Sequence, residues 1–396
     1  VSDGVAAYFV SVHCSRRTSV TISIYIIFRR CTELYVSTTQ HYTCGVIADN
    51  DDDWWRIIGR RLRCHLIVQQ ISNDITNYYL TLPSSNLETA FWLESDRMNQ
   101  LEFSLKSLDV QRNVVMEEFN QRYLNQPYGD AMLLLRPMAY KKHPYLWATI
   151  GKEMRHIQEA KLQDVEDFFY KHYGPQNCVL SVVGNVDYSE VKRLAEKWFG
   201  DIPERKGYVR NLQKEDKQSK ERTIEVEKDV PADSLYMSFH MSKKGTDSYY
   251  STDLISDMLS RGGSSRFNQQ LIKTKKVFGN IDACVSGSID PGMFIISGTL
   301  LPGIKMQQAE TAVWNELEKV TNELVEPREL QKLKNKIEST TVFNEIGCLN
   351  KAMNLAQFEL LGDANGINTE IEKYNRVTAE DVKKAATKIF RKENSS

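Results

Sequence analysis

Val110–Arg122 reads VQRNVVMEEFNQR, and the reading of this stretch decides the rest. Taken as a helix, its apolar positions Leu108, Val115 and Phe119 recur at steps of seven and four, so one face turns inward. Glu118 has Val114 and Val115 at i−4 and i−3, whereas Glu117 has the polar Asn113 and Gln121 at i±4. Glu118 is therefore expected at the edge of the buried face, where a carboxylate is neutralised, paired or bound to something cationic. The plainer alternative is a helix-edge glutamate paired with Arg122 at i+4.

Outward from this helix the chain becomes regular. SSNLETAFWLESDRM at 84–98 opens on serines and carries Leu87, Phe91 and Met98 at helical steps, which predicts an amphipathic helix. Leu162–His172 predicts another, and the apolar run CVLSVVGNV at 178–186 predicts a buried strand stopped by Gly184. The polar, lysine-rich link RKGYVRNLQKEDKQSKER at 205–222 is read as a domain boundary. Beyond it, strands are expected at Thr223–Val226, Leu235–His240, Asn280–Ser288 and Met293–Leu300, with long helices starting at Lys305 and Pro327. An internal repeat supports two equivalent halves. Asp164 stands 13 residues before Asn177 and Asp381 stands 13 before Asn394, each inside an amphipathic pattern. A strand follows the first asparagine, whereas only two residues follow the second, so the second sheet is expected to hold one strand fewer.

The residues from Asn73 to Pro203 resemble the first lobe of the M16 peptidases, the insulinase or pitrilysin family, in its bacterial short-chain form. The resemblance is carried by NDITNYYLTLP at 73–83, FWLESDRM at 91–98, VQRNVVMEEFNQRYLNQPYGD at 110–130, HPYLWATIG at 143–151, CVLSVVGNV at 178–186 and KWFGDIP at 197–203. It implies an α+β, LuxS/metallopeptidase-like fold: two homologous lobes related by a pseudo-twofold, each a mixed β-sheet with helices packed on one face, forming a clam-shell half. The expected organisation is an atypical segment at 1–70, the rest of the first lobe at 71–204, a linker at 205–222 and the second lobe at 223–396.

The resemblance also implies chemistry. In that family a helical HxxEH supplies two zinc-binding histidines and a general base, and a glutamate about 75 residues later completes the site. The matching position is Glu118, and Gln111 stands two turns earlier where the family often has a second carboxylate. In the intact site, zinc lowers the pKa of bound water to about 7 and the motif glutamate takes its proton. Counting back from Glu118 places the zinc helix near residues 38–44, where this chain has TTQHYTC. None of the seven histidines, at 13, 41, 65, 143, 156, 172 and 240, lies in an HxxEH, and the nearest approach, HIQEA at 156–160, has Ala160 in place of the second histidine. His41 with Cys44 and Cys64 with His65 form only two loose pairs. The abrupt onset of family character at Asn73 is what a reading-frame slip or recombination junction would leave, and reading the genomic DNA in all three frames tests that.

In many members the second lobe supplies an arginine and, seven residues on, a tyrosine that reach the substrate. Aligning QQLIKTKKVFGN at 269–280 puts Ile272 and Gly279 at those places, and neither side chain can donate a hydrogen bond. The resemblance therefore implies a zinc-dependent peptidase of short or unfolded peptides that this chain, lacking HxxEH, does not complete. The alternative is a non-catalytic subunit with a structural or substrate-binding role in a heterodimer, whose homologous partner supplies the arginine and tyrosine. A peptide is expected to add as a strand along an exposed sheet edge at Asp74, Ile75, Thr76, Asn77 and Tyr78.

Composition narrows the remaining classes. A net charge of −1 with 41% hydrophobic residues describes a soluble globular protein and gives no sign of a nucleic-acid or membrane partner, while the resemblance to the bacterial short-chain form implies the cytoplasm or periplasm. Seven cysteines without a CxxC argue against both a disulfide framework and a ribbon-type zinc site. No stretch has the apolar length of a transmembrane helix, and residues 1–20 lack the pattern of a signal peptide.

Overall fold

A computed structural model describes residues 6–11, 21–29, 65–205, 209–287 and 289–396, the first two segments and 65–70 as backbone only. In chain order the first half runs β1 (Ala6–Ser11), β2 (Thr21–Arg29), β3 (His65–Ile71), β4 (Ile75–Pro83), α1 (Leu87–Asn99), α2 (Leu105–Phe119), α3 (Ala131–Ala139), α4 (Met154–Glu159), α5 (Leu162–His172), β5 (Cys178–Gly184) and α6 (Tyr188–Phe199). The second runs β6 (Ser234–His240), α7 (Asp247–Ser260), β7 (Phe278–Val285), β8 (Met293–Leu300), α8 (Met306–Asn322), α9 (Pro327–Asn344), α10 (Cys348–Leu360), α11 (Gly366–Arg376) and α12 (Ala379–Ile389). These elements form two compact units. One holds Val1–Phe119, Thr149–Asn211 and Val342–Asn368, the other Asn120–Ala148, Leu212–Thr341 and Thr369–Ser396. The chain thus switches units inside the lysine-rich link, and each unit also takes one segment from the opposite half.

The first unit is built on a mixed sheet of order β1-β5-β2-β4-β3, with β1 parallel to β5 and the other pairs antiparallel. Every residue of β5 is buried, which explains its unbroken apolar run, because alternate side chains feed two different layers. Leu180 and Val182 pack with Leu87 and Phe91 of α1 and with Val191 and Leu194 of α6. Val179 and Val183 point the other way, into a cluster with Ala352, Leu355, Ala356 and Phe358 of α10. Burying each such aliphatic side chain contributes about 1.5–3 kcal/mol.

The second unit has an antiparallel sheet of order β6-β8-β7. Phe239, Phe278, Phe294 and Ile296 face a layer made by α7, α8 and α12. Met293, with Ile295, instead packs against Ala139, Tyr140 and Tyr145 from the first half of the chain. The Tyr140 hydroxyl donates to the Pro291 carbonyl at 3.1 Å, and the Tyr128 hydroxyl donates to the Ala232 carbonyl at 2.6 Å. The first unit has the mixed sheet expected of its lobe, whereas the described strands of the second sheet pair only antiparallel, which corrects the expectation of a mixed sheet there; a helical layer packs on each. Each sheet carries, in addition, helical cover on its second face from a segment distant in sequence.

The internal repeat has a structural meaning. At each copy the aspartate caps its helix, Asp164 accepting from the Lys161 amide at 2.9 Å and Asp381 from the Thr378 amide at 3.0 Å. At each copy the asparagine amide closes the helix's other end, Asn177 donating to His172 carbonyl at 2.8 Å and Asn394 to Ile389 carbonyl at 2.9 Å. The chain then enters β5 after Asn177 but, after Asn394, makes only a short antiparallel bridge of Ser395 to Phe239. One expectation is corrected here. Thr223–Val226 is not a strand, because no strand pairs with it among the described residues, and alternating β-branched residues alone do not make one.

Candidate functional site

Leu108, Val115 and Phe119 are the buried residues of α2, as the spacing predicts. Glu118 is half-buried with its Oε2 shielded from solvent, Glu117 is exposed, and Gln111 is half-buried two turns earlier. Immediately after Phe119 the helix loosens into a π-helical turn, Asn120–Leu124, where the chain leaves the first unit. Arg112 anchors the middle of the helix, pairing with Asp109 at 2.6 Å and donating to the Ala160 carbonyl that ends α4.

Among the described residues, the histidines do not come together with Glu118 or with one another as a zinc site would need. His143 sits in the second unit with Nε2 3.2 Å from Asp290 Oδ2 while its Nδ1 accepts from the Tyr145 amide. His240 bonds the Ala139 carbonyl at 2.9 Å through Nε2, and burial holds its pKa below the usual imidazole value. His172 is buried against the Phe168 ring, and His156 is exposed on α4. Among the described residues, no three His, Cys, Asp or Glu side chains come together as a metal would require. His41, Cys44 and Cys64, together with the expected zinc helix at 38–44, lie outside the described residues, as does the side chain of His65.

The edge-strand expectation is corrected. Ile75, Thr76, Asn77 and Tyr78 lie in β4, which is hydrogen-bonded by β2 on one side and β3 on the other, so no open edge runs along them. Asp74, just before it, is buried in an ion pair with Arg210 at 2.7 Å. Among the described residues, the outer strand on that side is β3. In the second unit, Ile272 packs against the core and Gly279 is an exposed strand residue. Arg266 of the SSRF stretch is held by Glu329 in a two-pronged contact at 2.7 and 3.2 Å, a structural role.

Sequence reasoning missed a buried polar cluster beneath β4 and β5. Glu94 of α1 is 3% exposed and pairs with Arg97 at 3.2 Å. The Arg97 guanidinium lies 4.5 Å over the Tyr78 ring, and the Tyr78 hydroxyl bonds that of Tyr173 at 2.8 Å. Burial raises the pKa of Glu94 despite Arg97, and burial followed by the nearby Glu94 raises that of the Cys178 thiol. The detectable signal was a charged pair, Glu94 and Arg97, inside an otherwise apolar helix face. A raised carboxyl holds its proton longer folded than unfolded, so its contribution to stability is complete in acid and is lost as pH climbs through the raised value. Glu94→Gln is therefore expected to flatten the decline in stability above the ordinary glutamate range, read as urea midpoints between pH 4 and 8. An unchanged slope would show that Arg97 keeps Glu94 ionised throughout.

Comparison with known proteins bears on this arrangement. Residues 159–337 match the family model described as the peptidase M16 inactive domain. The zinc protease PqqE of Helicobacter pylori is 26% identical over 328 residues, 82% of this chain and 74% of that protein. The zinc protease YmxG of Bacillus subtilis, itself uncharacterized, is 24% identical over 320 residues, 81% and 76% of the two chains. In fold, the chain resembles a protease of Helicobacter pylori with a TM-score of 0.88 at 23% identity, over 98% of this chain and 95% of that one. It also resembles a peptidase M16 inactive domain of Pseudomonas fluorescens, with a TM-score of 0.85 at 17% identity, over 100% and 94% of the two chains.

Proposed function

The chain belongs to the M16 peptidase family, and from that premise we propose that it is a peptide-binding subunit of that fold whose own residues do not complete a zinc site. The carrying observation is the donor set: Glu118 stands at the family's glutamate position, yet the sequence holds no HxxEH to supply imidazoles and a base. The description of the matched family model as an inactive domain agrees with this reading. An extended peptide adds to the side of β3 that no other strand among the described residues meets, where backbone hydrogen bonds give affinity and leave sequence preference loose. Hydrolysis then falls to a homologous subunit, which also supplies the arginine and tyrosine that Ile272 and Gly279 do not provide.

Elemental analysis and a quenched-fluorescence peptide assay test this together. The purified chain is expected to carry no zinc that depends on Glu118, to bind an unfolded peptide and not to cleave it. Co-expression with a family member from the same organism is expected to yield a heterodimer that cleaves. One zinc per chain, lost in Glu118→Gln, or peptide cleavage by the pure monomer would overturn the reading. No helix among the described residues is long and apolar enough to cross a membrane.

A further inference from the structure

In the second unit, a glycine turn at the end of α7 gathers cations that the peptidase reading does not use. Residues 261–264, RGGS, are all exposed, and Gly262 has φ 92°, a conformation that glycine adopts without strain. A Cβ placed on Gly262 or Gly263 meets nothing within 4 Å, so the turn faces open space. Three lysines reach it. On α9, Lys332 donates to the Ser264 hydroxyl at 2.6 Å and Lys336, one helical turn on, donates to the Arg261 carbonyl at 3.1 Å. Lys273, from the helical turn after the loop, donates to the Gly263 carbonyl at 3.5 Å. Glu329, in the same row of α9, is taken up by Arg266. The carboxylate that meets the group is Asp257, 3.0 Å from Arg261 and 3.9 Å from Lys336. Capping the end of α7 accounts for part of this, since a helix C-terminus attracts cations and loop carbonyls need donors. It does not account for the excess. An ammonium has three N–H groups and a guanidinium five, so most of these donors are left over, and Asp257 brings a single negative charge. Burial holds the Lys336 pKa below the usual lysine range; Asp257 opposes this, and Arg261 and Lys332 push it further down, as crowded positive charges do. Next in the chain, the buried Ser265 has a hydroxyl without a hydrogen-bond partner among the described residues.

We propose that the turn at 261–264, together with Lys273, Lys332 and Lys336, is a binding site for a phosphoryl group. A phosphoryl group carries about −1.5 to −2 charge at pH 7 and offers three strong acceptor oxygens, which matches several converging cations with spare donors. A carboxylate, with one charge and two oxygens, leaves the group of cations unbalanced. Gly262 and Gly263 put no side chain between the oxygens and the backbone, and the Arg261 guanidinium can grip two oxygens at once. The site uses none of Glu118, Ile272 or Gly279, so it and the peptidase reading can fail independently.

The probe is inorganic pyrophosphate titrated into the 396-residue chain, read by calorimetry and by the shift in Tm. Saturable binding with a raised Tm is expected. Lys332→Gln and Lys336→Gln are each expected to weaken binding about tenfold, the loss of one charge-assisted hydrogen bond. Lys334→Gln is the control, because its ammonium bonds the Asn375 carbonyl instead, and it is expected to change binding less than about twofold. A phosphoserine peptide forms the second arm: binding tighter than that of pyrophosphate makes the source a modified protein, and weaker binding makes it a free oligophosphate. If the lysines only cap α7, their variants lower Tm while pyrophosphate shifts no Tm, and the proposal is overturned. It is equally overturned if neither probe binds saturably, or if Lys334→Gln weakens binding as much as the other two, which is general charge attraction.

Discussion

Ala356→Asp will lower the stability of the chain by about 3–5 kcal/mol, because it places a charge inside a cluster of buried apolar side chains. Ala356 is 1% exposed, one helical turn from the fully buried Ala352, in the cluster that covers Val179 and Val183 of β5. No hydrophobic pattern confined to the second half of the chain gives α10 this task. Asn350→Asp, at an exposed site on the same helix, serves as the control and is expected to change stability by less than about 0.5 kcal/mol. Thermal or urea unfolding of the two variants reads the difference. Equal, small losses in both would mean that α10 does not seal the second face of the first sheet.

Cutting the chain within the 205–222 link will have the second large effect. Neither half contains all the helices of its own sheet, since 342–368 completes the first and 120–148 the second. Expressed separately, each half is expected to be insoluble or to lack near-ultraviolet circular dichroism. Expressed together, the halves are expected to copurify and unfold cooperatively, because each carries a segment that the other's sheet buries. A single half that unfolds cooperatively on its own would refute the exchange.

Much of the fold was legible in the sequence where local physics rules. The inward residues of α2, the burial of β5 and the capping aspartates of α5 and α12 follow from periodicity and from side chains bonding their own backbone. The position of β4 was not legible. HLIVQQI at 65–71 lies in a stretch that matches no family pattern, so the strand that covers Asp74–Tyr78 went unassigned and an interior strand read as an edge. The apolar residues on both sides of β5 announce two covered faces, yet they carry no information about which distant helix covers the second. The Glu94 cluster was hidden for a related reason, since a carboxylate's burial depends on tertiary neighbours that periodicity does not name.

The exchanged helices also fix a schedule for the chain as it is made. Val179 and Val183 leave the ribosome well before Ala352, Ala356 and Phe358, and at ordinary elongation speeds that interval is roughly ten to thirty seconds. For that time the nascent first sheet presents an aliphatic face to its surroundings, far longer than the microseconds in which such surfaces collapse. A chaperone that holds unfolded chains would find its substrate there, and slowing translation between residues 184 and 352 would lengthen the exposure and raise the yield of aggregates.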